Sequence, residues 1–168
     1  MAESTVVRVK RDGQILLSDS GSTNTYTIAY EPGDFSYTVP DYTIVNPLDR
    51  GELGATPTLR IGDEGPMTGS FSAYFRDPGD TANLYATLLD VAHRYVGRYV
   101  ASTWVSTLGS ASDVFAISIS LTIDGSPFGE ADKTVTFPFS VFRANMAEGD
   151  PSTVSATFTS YAPRPLLT

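Results

Sequence analysis

Residues 114–124 read Val-Phe-Ala-Ile-Ser-Ile-Ser-Leu-Thr-Ile-Asp, with Phe115, Ile117, Ile119, Leu121 and Ile123 alternating against Ala116, Ser118, Ser120, Thr122 and Asp124. A period of two places one set on each face of a pleated strand, so this segment is predicted as a half-buried β-strand. A slip of one residue would turn every isoleucine to solvent, which fixes its register strongly.

The same alternation recurs on both sides. Met67, Gly69, Phe71, Ala73 and Phe75 oppose Thr68, Ser70, Ser72, Tyr74 and Arg76. Downstream, strands are predicted over Lys133 to Arg143 and Thr153 to Tyr161, joined by the turn region Glu148-Gly149-Asp150-Pro151. Pro138 has no N–H to give a ladder, so its strand should lie at an edge or bulge there. Upstream, two hairpins are expected: Val6 to Lys10 with Gln14 to Ser18 around Arg11-Asp12-Gly13, and Thr25 to Tyr30 with Phe35 to Val39 around Glu31-Pro32-Gly33-Asp34.

Two segments break the β pattern. From Pro40 to Pro66 prolines and glycines punctuate short apolar runs such as Tyr42 to Val45 and Leu59 to Ile61. Uninterrupted loops this long are uncommon in compact domains, so the segment is expected to be an extended arm that packs on something such as another subunit. In Asn83 to Arg98, Leu84, Leu88, Val91, Ala92, Tyr95 and Tyr99 fall at helical spacing behind a cap at Asp80 or Thr81. The predicted class is mainly β (α+β): an antiparallel β-sandwich or barrel with one flanking α-helix and a long arm at about 40–66, all within one domain spanning 1–168.

The chain has 168 residues, 41% hydrophobic and 18% charged, which suits one ordered domain with a proper core. Its net charge is −8, and residues 31–80 hold nine carboxylates against three arginines. Lysine occurs only at Lys10 and Lys133, so no basic patch for gripping phosphates is expected. There is no cysteine, hence no disulfide or thiolate chemistry. No stretch approaches the roughly 18 apolar residues of a membrane span, and the start lacks a signal-peptide core, so a soluble chain made in the cytoplasm is expected.

Catalytic parts are missing from the text. His93 is the only histidine and sits in the predicted helix; no serine occupies a G-x-S-x-G elbow. The carboxylate pairs Asp63-Glu64, Glu130-x-Asp132 and Glu148-x-Asp150 lie in turn-like segments, where acids are ordinarily solvated, and none has the spacing of a calcium loop. Neither an enzyme nor a cofactor is expected. The informative feature is the polar side of the strands: Ser70, Ser72, Ser118, Ser120, Thr122, Thr134, Thr136, Ser155, Thr157 and Thr159 are small and neutral where a solvated sheet would carry Lys, Glu and Arg. Such a side suits a smooth wall or close approach of another surface; β propensity of Thr is the plainer explanation.

The order of elements, with the strand Gly69-Ser70-Phe71-Ser72-Ala73-Tyr74-Phe75-Arg76, the helix Leu84 to Arg98, and the hairpin ending Gly149-Asp150-Pro151-Ser152-Thr153-Val154-Ser155-Ala156-Thr157-Phe158, resembles the major tail tube proteins of long-tailed phages. The resemblance covers nearly the whole chain, most closely 54–161, and rests on element order and strand texture. It implies a subunit that forms stacked, hexameric rings with copies of itself, a hollow conduit for genome delivery, and a place in the virion tail after assembly in the host cytoplasm. Its partners would be other tail proteins (tape measure, tail terminator, distal tail), with DNA only as passing cargo. The arm residues Tyr42, Ile44, Asp49, Arg50, Glu52, Arg60, Asp63 and Glu64 become the inter-ring contact, and Ser70, Ser72, Ser118, Ser120, Thr122, Thr134, Thr136, Ser155 and Thr157 line the lumen or abut neighbours. The rival expectation is a β-sandwich adhesion or carbohydrate-binding module, with an exposed Trp104 and the tyrosines stacking on sugars.

Overall fold

In a computed structural model, described for residues 13–21, 24–28, 35–45, 60–74, 104–109, 114–125, 129–149, 153–162 and 164–168, the chain is mainly antiparallel β. Ten strands follow in order: β1 Gly13–Ser18, β2 Thr25–Ile28, β3 Ser36–Thr38, β4 Ile44–Val45, β5 Arg60–Ile61, β6 Met67–Tyr74, β7 Ile117–Ile123, β8 Lys133–Ala147, β9 Thr153–Ser160 and β10 Leu166–Leu167. One sheet runs β2-β1-β7-β8-β9-β6-β3 with β10 also on β8, and β4 pairs β5 in a separate two-stranded sheet. The predicted helix, Asn83 to Arg98, lies outside the described residues.

The deciding segment behaves largely as its period requires. Ile117 and Ile119 are fully buried while Ser118 and Ser120 face the other way. The strand nevertheless begins at Ile117 and not at Val114, because the loop 104–109 takes up the backbone before it: the Thr107 N–H donates to the Ala116 carbonyl, and the Ala116 N–H to Ser106 Oγ. Ala116, expected on the polar side, is buried.

β8 is the hinge of the sheet. Between the pairs Ile119↔Phe137 and Ile117↔Ser140, one residue of β7, Ser118, opposes two of β8, so one extra residue is inserted at Pro138–Phe139. This is the predicted bulge, and Phe139 adopts φ 53° there. The insertion reverses the parity of the strand: Val135 and Phe137 point inward before it, Phe142 and Ala144 after it. Without it, everything beyond Pro138 would present its wrong side. Ser140 Oγ donates to the Phe137 carbonyl, Ser160 Oγ to the Pro138 carbonyl, and the Tyr161 N–H to the Phe139 carbonyl, so the groups freed by the bulge are bonded again.

One of the predicted hairpins is corrected. β2 and β3 do not pair; they stand at opposite ends of the large sheet, β2 on β1 with Ile28 opposite Ile15, and β3 on β6 with Thr38 opposite Thr68. The Pro-Gly cue signals a turn but does not choose a partner, and each short strand goes where its apolar side is covered. The other predicted hairpin cannot be followed, since Val6 to Lys10 lies outside the described residues; β1 itself is flanked by β2 over Ile15–Ser18 and by β7. The predicted terminal hairpin is present, β8 against β9 from Ser140↔Ser160 to Ala147↔Thr153, and extends further than expected on the β8 side.

The sheet is strongly curled. β3 and β8 are three places apart, about 14 Å at ordinary strand spacing, yet the Tyr37 and Phe137 rings meet edge-on with centroids 5.0 Å apart. Inside the curl, Phe35 lies 6.0 Å from both Phe137 and Phe158, and Phe137 lies 5.2 Å from Phe158. Burying each such side chain contributes about 1.5–3 kcal/mol, and Ile15, Leu17, Met67 and Val154 complete the same core. Trp104 belongs to it too, only 4% exposed, which corrects its expected place on the surface.

Candidate functional site

Alternation and register together decide which side chains share the outer side of the sheet. Thr134 and Thr136 of β8 stand opposite Thr122 and Ser120 of β7, and Ser120 and Ser118 stand opposite Leu16 and Ser18 of β1. Beyond the bulge, Arg143 and Asn145 stand opposite Thr157 and Ser155 of β9, which in turn face Ser70 and Ser72 of β6. Ser36 and Thr38 of β3 complete the row beside Ser70 and Thr68. All nine predicted wall residues, Ser70, Ser72, Ser118, Ser120, Thr122, Thr134, Thr136, Ser155 and Thr157, therefore lie on one side of one sheet.

Their hydroxyls bond across strands: Ser120 to Thr136 at 2.9 Å, Thr122 to Thr134 at 3.2 Å, and Ser36 to Ser70 at 2.9 Å. In each pair one hydroxyl gives and the other accepts, so part of the row's hydrogen-bonding capacity is met without a charged partner. Ser36, Thr38, Thr68, Ser70, Thr157 and Thr159 line a shallow groove of about 350 Å³. Among the described strand positions of this side, Arg143 is the one charged residue, although the chain carries 19 carboxylates. The carboxylates of the described residues sit in turns and at strand ends: Asp19, Asp41, Asp63, Glu64, Asp124, Glu130, Asp132 and Glu148.

The second element is the β4–β5 ribbon. β3 and β6 are antiparallel neighbours, and the segment between them leaves and re-enters at adjacent points: a Cβ placed on Gly65 would lie 3.4 Å from Pro40 Cγ. The ribbon is closed by Ile44↔Ile61 and Val45↔Arg60 and by the Gly62 N–H donating to the Thr43 carbonyl at 2.6 Å. Ile44 and Ile61 are each 59% exposed, and Tyr42 and Val45 are exposed as well. Two strands with solvated aliphatic side chains are at best marginally stable alone. Of the predicted arm residues, Tyr42, Ile44, Asp63 and Glu64 are placed here, with Arg60 in the β5 ladder; Asp49, Arg50 and Glu52 lie outside the described residues. Glu64 Oε1 accepts from Arg164 Nη2 at 3.5 Å, tying the base of the arm to the C-terminal segment.

No catalytic constellation is brought together among the described residues. No group of three His, Asp or Glu converges as a metal site there. Asp132 Oδ1 accepts from the Gly125 N–H at 2.9 Å, a turn-closing role. His93 and Asp150 lie outside the described residues. Sequence reasoning missed β10 and the exposed apolar residues around it, Tyr161, Leu166 and Leu167; an apolar pair after two prolines carries no periodicity to read.

No family model and no curated protein sequence matches the chain. Solved structures do. A chain in the cryo-EM structure of the PVC sheath/tube terminator of an extracellular contractile injection system, in the extended state, superposes with a TM-score of 0.56 at 11% identity, covering 99% of each chain. A chain of the six-fold symmetrised baseplate of the anti-feeding prophage gives 0.55 at 10% identity, covering 98% of this chain and 97% of that one. A chain of the PVC sheath–tube complex in the extended state gives 0.53 at 10% identity, covering 99% of both. The assemblies these neighbours come from are a sheath/tube terminator, a baseplate and a sheath–tube complex. At such identity the likeness is one of fold, and it covers nearly the whole of each chain: this chain shares its fold with chains found in contractile injection system assemblies.

Proposed function

We propose that this chain is a structural subunit of a tail tube or a closely related tube of an injection apparatus, acting by self-assembly. Copies close into rings, six to a ring, and the rings stack into a hollow conduit that delivers a genome or other cargo. The observation that carries this reading is the side of the large sheet that holds no carboxylate among its described strand positions, nine Ser/Thr positions on a chain of net charge −8. β propensity favours Thr and disfavours Asp on any strand; a wall that a polyanion slides along, or that a like-charged neighbour abuts, adds a reason to keep every carboxylate off it. The end-to-end likeness to chains of sheath–tube and baseplate assemblies supports it.

In this reading the β4–β5 ribbon, with Tyr42, Ile44, Val45 and Ile61 exposed, is the contact between stacked rings, and tail proteins at either end of the tube are the remaining partners. The particle tail is its location. The adhesion-module alternative loses its main support, since Trp104 is in the core. Negative-stain microscopy of the purified protein tests the proposal: hollow tubes or rings of uniform diameter are expected, and a monomer at every concentration would overturn it.

A further inference from the structure

We infer that the corner at the β8 bulge, with Phe139 and Tyr161 at its centre, is an additional contact with a second copy of this chain. The starting point is a conformational anomaly. Phe139 has φ 53°, the left-handed region where an L-residue with a bulky side chain is disfavoured and where a bulge ordinarily holds Gly or Asn. The conformation leaves Phe139 only partly covered, the residue being 38% exposed. Its neighbour is aromatic too: the Tyr161 N–H donates to the Phe139 carbonyl at 3.2 Å, and Tyr161 is 61% exposed. Leu166, 56% exposed, follows on the same edge of β8, because β9 and β10 both lie opposite the edge that β7 occupies. A backbone held in an unfavourable region to present an apolar ring to water is explained when that ring is covered in an assembly.

Two observations select a second copy as the cover. The first is charge. The chain is at −8, so two copies repel wherever their carboxylates meet, and a corner whose neighbouring charge is the exposed cation Arg164, paired with Glu64, is where they can approach. A basic partner would be drawn instead to the acidic turns. The second is area. Phe139, Tyr161 and Leu166 together expose on the order of 300 Å², well short of the roughly 800 Å² each partner contributes to a standard stable interface. A patch of that size does not hold a single soluble partner by itself. It suffices when the same contact is repeated around a closed set of identical copies and added to others such as the ribbon.

The inference rests on the proposed self-assembly and adds a contact to it. The test compares the full chain with Phe139→Asn and Tyr161→Ser by sedimentation velocity and microscopy over a concentration series, alongside thermal melts under non-assembling conditions. Asn tolerates the left-handed region, so relief of strain offsets lost packing and Phe139→Asn should melt within about 5 °C of the parent. Tyr161→Ser alters a side chain mostly in water and keeps the test valid should the first variant fold poorly. Both variants are expected to need about thirtyfold more protein for half-assembly, as loss of an aromatic anchor implies. Variants that assemble at the parent's concentration while the parent forms rings or tubes would overturn this contact and leave the proposed function standing. A parent that stays monomeric throughout would overturn both.

Discussion

Gly69 offers a measurement whose sign, not only its size, depends on the architecture. It sits in the middle of β6 opposite Phe158 of β9, and the ring of Phe158 lies across the space a side chain would occupy. A Cβ at Gly69 would fall 2.3 Å from Phe158 Cζ, 2.6 Å from Cε1 and 2.9 Å from the Ser36 carbonyl oxygen. The ring has little room to retreat, being 3% exposed with Phe137 at 5.2 Å and Phe35 at 6.0 Å behind it. Gly69 does not have a positive φ, so Gly→Ala at an unobstructed strand position would stabilise by about 0.4–1 kcal/mol through the unfolded chain. Here overpacking costs about 1–3 kcal/mol and exceeds that gain. For a chain of this length each kcal/mol moves Tm by roughly 2–4 °C, so Gly69→Ala should lower Tm by several degrees in a melt at fixed protein concentration. In a Phe158→Leu background, where the ring atoms in conflict are gone, the same alanine should cost much less. A Gly69→Ala protein as stable as the parent, or more so, would refute the claim that Phe158 occupies that space.

Two further outcomes follow from the arm. Deleting residues 41–64 joins Pro40 to Gly65, which already lie side by side, so the product should keep its β-rich circular dichroism and a cooperative melt yet form no tubes; long tubes from the deletion would remove the ribbon from the ring-stacking role. Arg164→Gln breaks the 3.5 Å pair with Glu64, but with Arg164 68% exposed the loss should stay within about 1 kcal/mol and vanish in high salt; a larger or salt-independent effect in thermal melts would mean that the pair holds the arm more firmly than its geometry implies.

Much of the sheet was legible because its strands carry their own register. Ile117, Ile119, Phe71 and Val154 announce a buried side by alternation alone, and Pro138 announces a bulge by lacking an N–H. The uncharged wall was legible for the same reason, since the period that places isoleucines inward places Ser and Thr together outward. What alternation cannot convey is which strand lies beside which. β2 and β3 are four- and three-residue strands, and their separation to opposite ends of the sheet is set by where Ile28 and Phe35 find cover, a property of the whole fold. Trp104 was misplaced because a single aromatic in an irregular loop has no pattern around it. The apolar corner was illegible because Tyr161 and Leu166 come to the same edge of β8 as Phe139 only through strand pairing that alternation does not convey.

The bulge also connects the two surfaces proposed to matter. A strand as long as Lys133–Ala147 can serve two stretches of a curled sheet only if it turns between them, and a plain bend would leave its parity unchanged along a path that has rotated. One inserted residue resolves this: Val135 and Phe137 stay inward on one side of it, Phe142 and Ala144 on the other, and Thr134, Thr136, Arg143 and Asn145 keep a common outer side. The continuous hydroxyl wall is thus a consequence of the same insertion that forces Phe139 outward. A sequence selected only for a stable monomer would place Gly or Asn at that position and charged residues on that wall. The departure from both rules in one strand is what ties the corner and the wall to assembly and not to folding alone.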